Sequence, residues 1–276
     1  MAVDRRGFCR IAGFSLLGLA GAGSVRSEQP EAPAATDTST AAAGSVKAPS
    51  PATTFGTVAE PLTGKRWAMV VDLQACRKKD GCRDCIAACH RVHNVPDFED
   101  PKDAVKWIWK EPFAEALSGQ GHDNLPHGMD HEETLVFCNH CDNPPCVRVC
   151  PTQATWKRDD GIVMMDWHRC IGCRYCVAGC PYGSRSFNWR DPRPHIDEID
   201  PDFPTRTRGV VEKCTFCDER LAKGMLPACV EACESGCMSF GDLEDAGSPV
   251  RRLLAERFSL RRKPGLGTQP EVYYLV

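Results

Sequence analysis

Sixteen of the 18 cysteines in this chain fall into four runs of four. The third run is Cys170, Cys173, Cys176 and Cys180, followed by Pro181, with the spacing C-x2-C-x2-C-x3-C-P. The second is Cys138, Cys141, Cys146 and Cys150, followed by Pro151, and the first is Cys76, Cys82, Cys85 and Cys89. The fourth is more open: Cys214 and Cys217, an insertion, then Cys229 and Cys233. This three-plus-one grouping with a Cys-Pro ending is that of bacterial ferredoxin loops. A cubane has four irons, and each takes one thiolate. The C-x2-C-x2-C segment wraps three corners while backbone N–H groups point at the cluster sulfurs. The fourth cysteine, after x3, sits on the next turn of chain and points elsewhere; in two-cluster ferredoxins it ligates the other cluster. The proline after it fixes its own φ and disfavours helix at the cysteine, so the chain turns away. The sixteen cysteines are therefore read as iron ligands of four [4Fe–4S] clusters, a set suited to moving single electrons. Zinc sites use C-x2-C pairs from two places and need no three-plus-one grouping. Disulfide cysteines have no reason to repeat at x2-x2-x3.

The elements that hold such loops are short. Strand-like pieces follow the runs, at Ile162-Val163-Met164-Met165 and Val210-Val211, and helical pieces lie at Val177-Ala178-Gly179 and Arg220-Leu221-Ala222-Lys223. The runs form an internal repeat, since Cys150-Pro151-Thr152-Gln153-Ala154 echoes Cys180-Pro181-Tyr182-Gly183-Ser184. This is the βαβ-like texture of a ferredoxin, doubled. The expected class is α+β, with tandem or nested ferredoxin-like two-cluster units carrying loop insertions. One insertion, residues 90–137, holds Trp107-Ile108-Trp109 and the histidines His93, His122, His127 and His131. Their spacing is irregular, and they are read as packing or solvated residues rather than ligands. Residues 243–276 read as a C-terminal tail.

Ahead of the repeat, Asp4-Arg5-Arg6-Gly7-Phe8-Cys9-Arg10 precedes an apolar stretch that ends near Gly23. Paired arginines before a short apolar region form a twin-arginine export signal, too short for a membrane-spanning helix. Residues 1–26 are read as this signal region, so Cys9 is not counted as a ligand. That route carries folded proteins, which suits clusters assembled in a reducing cytoplasm, and it implies a periplasmic location. Residues 27–60, rich in Pro, Ala and Thr, read as a disordered linker that cannot bury a core. The working domain is then 61–276. Net charge is −3, and loss of residues 1–23, with three arginines and one aspartate, would take it to −5. Nothing in that balance favours nucleic acid. No acid–base or nucleophilic constellation stands out, so the chain reads as a non-catalytic electron-transfer subunit of an oxidoreductase complex.

The segments between the runs carry a resemblance. They are Lys65-Arg66-Trp67-Ala68-Met69-Val70, Cys89-His90-Arg91-Val92-His93-Asn94-Val95-Pro96, Cys141-Asp142-Asn143-Pro144-Pro145-Cys146, Phe187-Asn188-Trp189-Arg190-Asp191-Pro192-Arg193-Pro194 and Tyr273-Tyr274-Leu275-Val276. With the four runs they resemble the four-cluster iron–sulfur subunits of the dimethyl sulfoxide reductase family, and within it those of the Dsr membrane complexes of dissimilatory sulfur metabolism. The resemblance implies a nested pairing, motifs 76–89 with 214–233 and motifs 138–150 with 170–180. The implied ligand sets are Cys76, Cys82, Cys85 with Cys233; Cys214, Cys217, Cys229 with Cys89; Cys138, Cys141, Cys146 with Cys180; and Cys170, Cys173, Cys176 with Cys150. It also implies partners: an NrfD-type quinone-interacting integral membrane subunit, a multihaem cytochrome c subunit and other Dsr complex subunits. The electron-transfer subunit of a molybdopterin oxidoreductase acting on polysulfide, tetrathionate or nitrite is the alternative, and a structural zinc scaffold a more distant one. Two positions depart from the family pattern. Cys76 and Cys82 are separated by five residues, and Cys237 stands where a small apolar residue is usual, read here as a small buried side chain, with a substitute ligand as the alternative. Arg174 and Lys213, beside ligand cysteines, are candidates for raising local potentials.

Replacing Arg5 and Arg6 together by lysine should leave the protein in the cytoplasm with its clusters intact, because the pair is an address and not part of the fold. Cell fractionation reads this directly; unchanged periplasmic accumulation would show that another route exports the chain.

Overall fold

The strand Trp67–Asp72 is apolar at almost every position and buried along its length. A strand without alternation needs cover on both faces, and it has it. In this computed structural model, which describes residues 59–120 and 129–276, the strand lies inside a four-stranded sheet. The order is Met238–Asp242, Trp67–Asp72, Val272–Leu275, Ser259–Leu260. Trp67–Asp72 runs parallel to Val272–Leu275, with Met69 opposite Val272, and antiparallel to Met238–Asp242, with Val71 opposite Met238. Trp67, Met69 and Val71 face the main core, where the Trp67 and Phe240 rings stack at 4.9 Å. Ala68 and Val70 face the other way, where Val250, Leu253 and Leu254 of the amphipathic helix Pro249–Glu256 cover them.

Three two-stranded hairpins carry the chain from run to run. Ile108–Pro112 pairs with Glu133–Phe137, and Cys138 follows at once. Thr155–Lys157 pairs with Val163–Met165 between the second and third runs, and Ser186–Phe187 pairs with Val211–Glu212 just before Cys214. Each run also contributes a helix: Asp84–Val92, Pro145–Arg148, Tyr175–Ala178 and Ala228–Glu231. These pack in two pairs, Asp84–Val92 against Ala228–Glu231 and Pro145–Arg148 against Tyr175–Ala178. The result is the α+β class, with helix and strand in short alternating pieces.

Residues 243–276, read from the sequence as a tail, supply a helix and two strands, one of them inside the sheet. The reason is the burial of Val272, Tyr273, Tyr274 and Leu275. The insertion 90–137 supplies the hairpin ahead of the second run and the buried indole of Trp107. A buried ion pair ties this insertion to the loop before the fourth run. Arg206 meets Glu212 at 2.6 Å with both side chains fully buried. Arg206 also donates to the carbonyls of His93 and Asn94, and Glu212 accepts from the Trp107 indole at 3.0 Å. Removing either partner would strand a buried charge. The segment read as an export signal and almost all of that read as a linker, like His122 and His127, lie outside the described residues. Among the described residues no helix is long and apolar enough to cross a membrane.

Gly172 is required by close approach. It lies inside the third run with φ +68°, and a Cβ there would stand 2.3 Å from the carbonyl oxygen of Gly209. Gly172→Ala should therefore combine left-handed strain with a backbone clash and cost roughly 2–3 kcal/mol. We expect a lower melting temperature and loss of iron from the loop around it. Gly265→Ala, with ordinary φ and open space for a Cβ, should leave both unchanged; equal behaviour of the two variants would contradict this account.

Candidate iron–sulfur sites

The third and fourth cysteines of every run are four residues apart, and in each run a short helix starts at or next to the third. Cys85 and Cys89 both lie on Asp84–Val92. Cys146, Cys176 and Cys229 lie on one-turn helices, with Cys150, Cys180 and Cys233 just past their ends. Residues four apart on a helix put their Cβ atoms roughly 5–6 Å from each other along the axis. One helix thus offers its two sulfurs to two separate places, and two packed helices offer theirs crosswise.

The structure shows this crossing. A small cavity is lined by Cys138, Cys141 and Cys146 together with Cys180. A second is lined by Cys170, Cys173 and Cys176 together with Cys150. In the other half the grouping is read from which thiols feel each other. Burial raises the Cys85 thiol to about 12, with the charges of Cys233, Cys76 and Cys82 acting in the same direction. Burial also holds Cys89 well above the ordinary thiol range, with Cys217, Cys214 and Cys229 adding to the effect. The long spacing between Cys76 and Cys82 is absorbed by an outward turn at Gly81, φ +66°. Lys79 pins this turn, reaching Asp84 at 2.7 Å and Glu234 at 2.9 Å, so it also touches the fourth run.

The cysteine-lined sites fit iron–sulfur clusters on two counts. Bare thiols this buried resist ionising, as Cys214 does at about 12 through desolvation, and iron takes them as thiolates. Buried cations also stand beside them with no carboxylate partner among the described residues. Arg185 is 3 % exposed and donates from Nη2 to Cys146 Sγ at 3.1 Å and to Thr155 Oγ1 at 2.7 Å. Its charge also acts on Cys176 and Cys138, so it lies between the two cavities. Lys213 is fully buried, its Nζ donating to the carbonyls of Val163 and Cys214, and it faces Cys138, Cys214 and Cys146. Anionic clusters would neutralise both; without them the two charges are uncompensated.

Sequence reasoning singled out Lys213 and Arg174 but not Arg185, which sits five residues past its run in a strand-like stretch with no motif to mark it. Arg174 is exposed and stacks over the rings of Phe187 and Trp189, at 5.3 and 4.7 Å. His140, inside the second run, also escaped notice. It is buried, stacks on Phe216 at 3.7 Å and accepts the Val163 N–H on Nδ1, and burial keeps it neutral by driving its pKa well down. His93, read as a packing residue, is buried against Trp107 and Phe203. Its Nδ1–H donates to the Cys89 carbonyl at 2.8 Å, and its Nε2 faces Glu219 at 3.0 Å. Around the third run, Ile171 and Tyr175 are exposed, 67 % and 62 %. That edge brings the cavity of Cys150, Cys170, Cys173 and Cys176 close to solvent.

Comparison with known proteins agrees with this geometry. Residues 133–193 and 202–243 match the 4Fe–4S dicluster domain model. The Hdr-like menaquinol oxidoreductase iron–sulfur subunit 1 of Archaeoglobus fulgidus is 40 % identical over 260 residues, covering 86 % of this chain and 94 % of that one. The iron–sulfur cluster-binding subunit of the menaquinone reductase of Nitratidesulfovibrio vulgaris is 36 % identical, covering 76 % and 88 %. A polysulfide reductase polypeptide of Wolinella succinogenes is 34 % identical, covering 76 % and 93 %.

The position of Arg185 gives a signed expectation. Removing a fixed positive charge disfavours an added electron. Arg185→Gln should therefore weaken reduction of the neighbouring clusters at least about tenfold, roughly 59 mV for one electron, while Arg185→Lys keeps most of the effect. A redox titration followed by electron paramagnetic resonance (EPR) measures this, and an unchanged potential in a fully loaded Gln variant would remove Arg185 from the account.

Proposed function

Since this protein belongs to the family of 4Fe–4S iron–sulfur subunits, we propose that it is the DsrO-type electron-transfer subunit of a membrane-bound respiratory complex of dissimilatory sulfur metabolism. The observation that carries the reading is the pair of cavities, each lined by three cysteines of one run and the fourth of its partner. Four [4Fe–4S] clusters, held by the sixteen cysteines in the crosswise sets given above, would each take up and release one electron. The protein's own part is positional. Packed helix pairs fix the spacing of neighbouring sites, Arg185 and Lys213 supply counter-charge, and burial keeps water from the sulfurs. The exposed edge at Ile171 and Tyr175 is where a partner could approach within tunnelling reach.

The quinone link is supported by relatives named for menaquinol and menaquinone. In this reading the partners are an NrfD-type membrane subunit, a multihaem cytochrome c subunit and further Dsr subunits. Residues 1–26 direct export by the twin-arginine route, 27–60 form a tether, and 61–276 work at the periplasmic face of the membrane, attached through those partners. The relatives named for polysulfide reductase and tetrathionate reductase support the second reading, service to a molybdopterin oxidoreductase. A molybdopterin catalytic gene beside this one would favour it, and sulfite reductase and Dsr genes would favour the first.

Anaerobically reconstituted protein should hold about 16 iron per chain, as four cubanes require. Cys180→Ser should perturb the cluster built on Cys138, Cys141 and Cys146 and spare the one built on Cys170, Cys173 and Cys176. Zinc in place of iron, or damage confined to the Cys170 group, would sink the proposal.

A further inference from the structure

The site of Cys76, Cys82, Cys85 and Cys233 contains a fifth sulfur. Cys237 is 4 % exposed, its Sγ lies 3.2 Å from Cys233 Sγ, and its thiol faces that of Cys76. It is aimed there by the sheet. The Cys237 carbonyl accepts the Asp72 N–H at 2.7 Å, and the next residue, Met238, pairs with Val71. The same Asp72 caps the helix Leu73–Arg77 that carries Cys76, through Ala75 N–H at 3.0 Å. Cys233 is held less firmly, half-buried in the turn after Ala228–Glu231. Gly236, at φ +63°, donates its N–H to the Cys233 carbonyl at 3.0 Å, and this tight loop folds the two sulfurs onto each other. An alanine at 237 would fill the space without offering a donor.

We propose that Cys237 is an alternative fourth ligand of this site, competing with Cys233 for the same iron. One of the two binds as thiolate and the other stays a thiol hydrogen-bonded to it. In an exchange the Cys233–iron bond breaks as the Cys237–iron bond forms, and the Cys233 sulfur takes up the proton that Cys237 gives up. Charge and electron count are unchanged, and no oxidant is needed. Three other sulfurs, from Cys76, Cys82 and Cys85, hold the remaining corners throughout. The inference rests on the reading that this site holds a cluster.

The full chain, produced anaerobically as wild type, C82A, C233A, C237A and C233A/C237A, tests it through iron and sulfide per chain, EPR and circular dichroism. C82A has no spare sulfur; its loss of about a quarter of the iron, one cluster in four, identifies the site's EPR signal. C233A and C237A should each keep wild-type iron and that signal, and the double variant should lose them as C82A does. A C233A chain that lacks the signal, or is insoluble while C237A folds, overturns the proposal. Loss in C237A alone overturns the exchange as well, by making Cys237 the sole ligand. A wild-type chain with iron for three clusters only would instead overturn the reading that the site is loaded, and the inference with it.

Discussion

The structure turns on the distance between two cysteines four residues apart on a helix. In the second and third runs the two sulfurs of one helix go to different cavities, Cys146 with Cys180 in one and Cys176 with Cys150 in the other, so each of these helices is required to serve two sites. That requirement makes helices of different runs pack in pairs, as Asp84–Val92 does with Ala228–Glu231. It also makes the helix the spacer between neighbouring sites, so their separation is set by covalent geometry and not by loop conformation. The sheet and hairpins serve this end. Trp67–Asp72 delivers the chain through its Asp72 cap into the helix of Cys76, and Glu133–Phe137 ends one residue before Cys138.

Charge is handled in two different ways in one interior. Arg206 and Glu212 neutralise each other locally, and Trp107, Asn188 and backbone carbonyls meet further donors and acceptors of the pair, leaving Arg206 Nε without a hydrogen-bond partner. That pair is self-sufficient and ties loops together. Arg185 and Lys213 are not self-sufficient. The groups that most favour their charged forms are cysteine sulfurs, so their burial is best tolerated in a chain whose sulfurs carry charge. Stability and cofactor content are thereby coupled in the half of the molecule around the second and third runs.

The chemistry was legible in the sequence because ligand spacing is a local property. The x2-x2-x3 runs stand out in any register, and Val163–Met165 and Val211–Glu212 fall where strand-like pieces were read. The class, α+β, followed from the alternation of those pieces. Long-range facts left weaker traces. The crossing of sulfurs between runs came with a family resemblance and not from the residues alone. The sheet that joins Trp67–Asp72 to Val272–Leu275 had no local signal, because a four-residue apolar segment at a chain end looks like a tail until its partner strand is known. Arg185 was invisible for a related reason: an arginine in a strand-like stretch is ordinarily solvated, and only the packing of the second and third runs around it makes it a buried cation. Cys237 was read as a small buried residue, and it is buried; its contact with Cys233 depends on the turn at Gly236, which spacing alone does not reveal.

The parallel pairing of the first described strand with the last has a consequence for how the protein is made. Met69 sits opposite Val272, so the sheet cannot close until about 200 residues after its first strand have been made, and contacts of such long range form slowly. The site of Cys76, Cys82 and Cys85 waits likewise for Cys233. The second and third runs lie close together in the chain, and their helices can meet while synthesis continues. Assembly therefore has a built-in order: the inner pair of sites can be completed on a partly made chain, and the outer pair only once Cys233 has been made. A truncated or stalled product would be half-loaded, with the inner unit formed and the outer sulfurs bare.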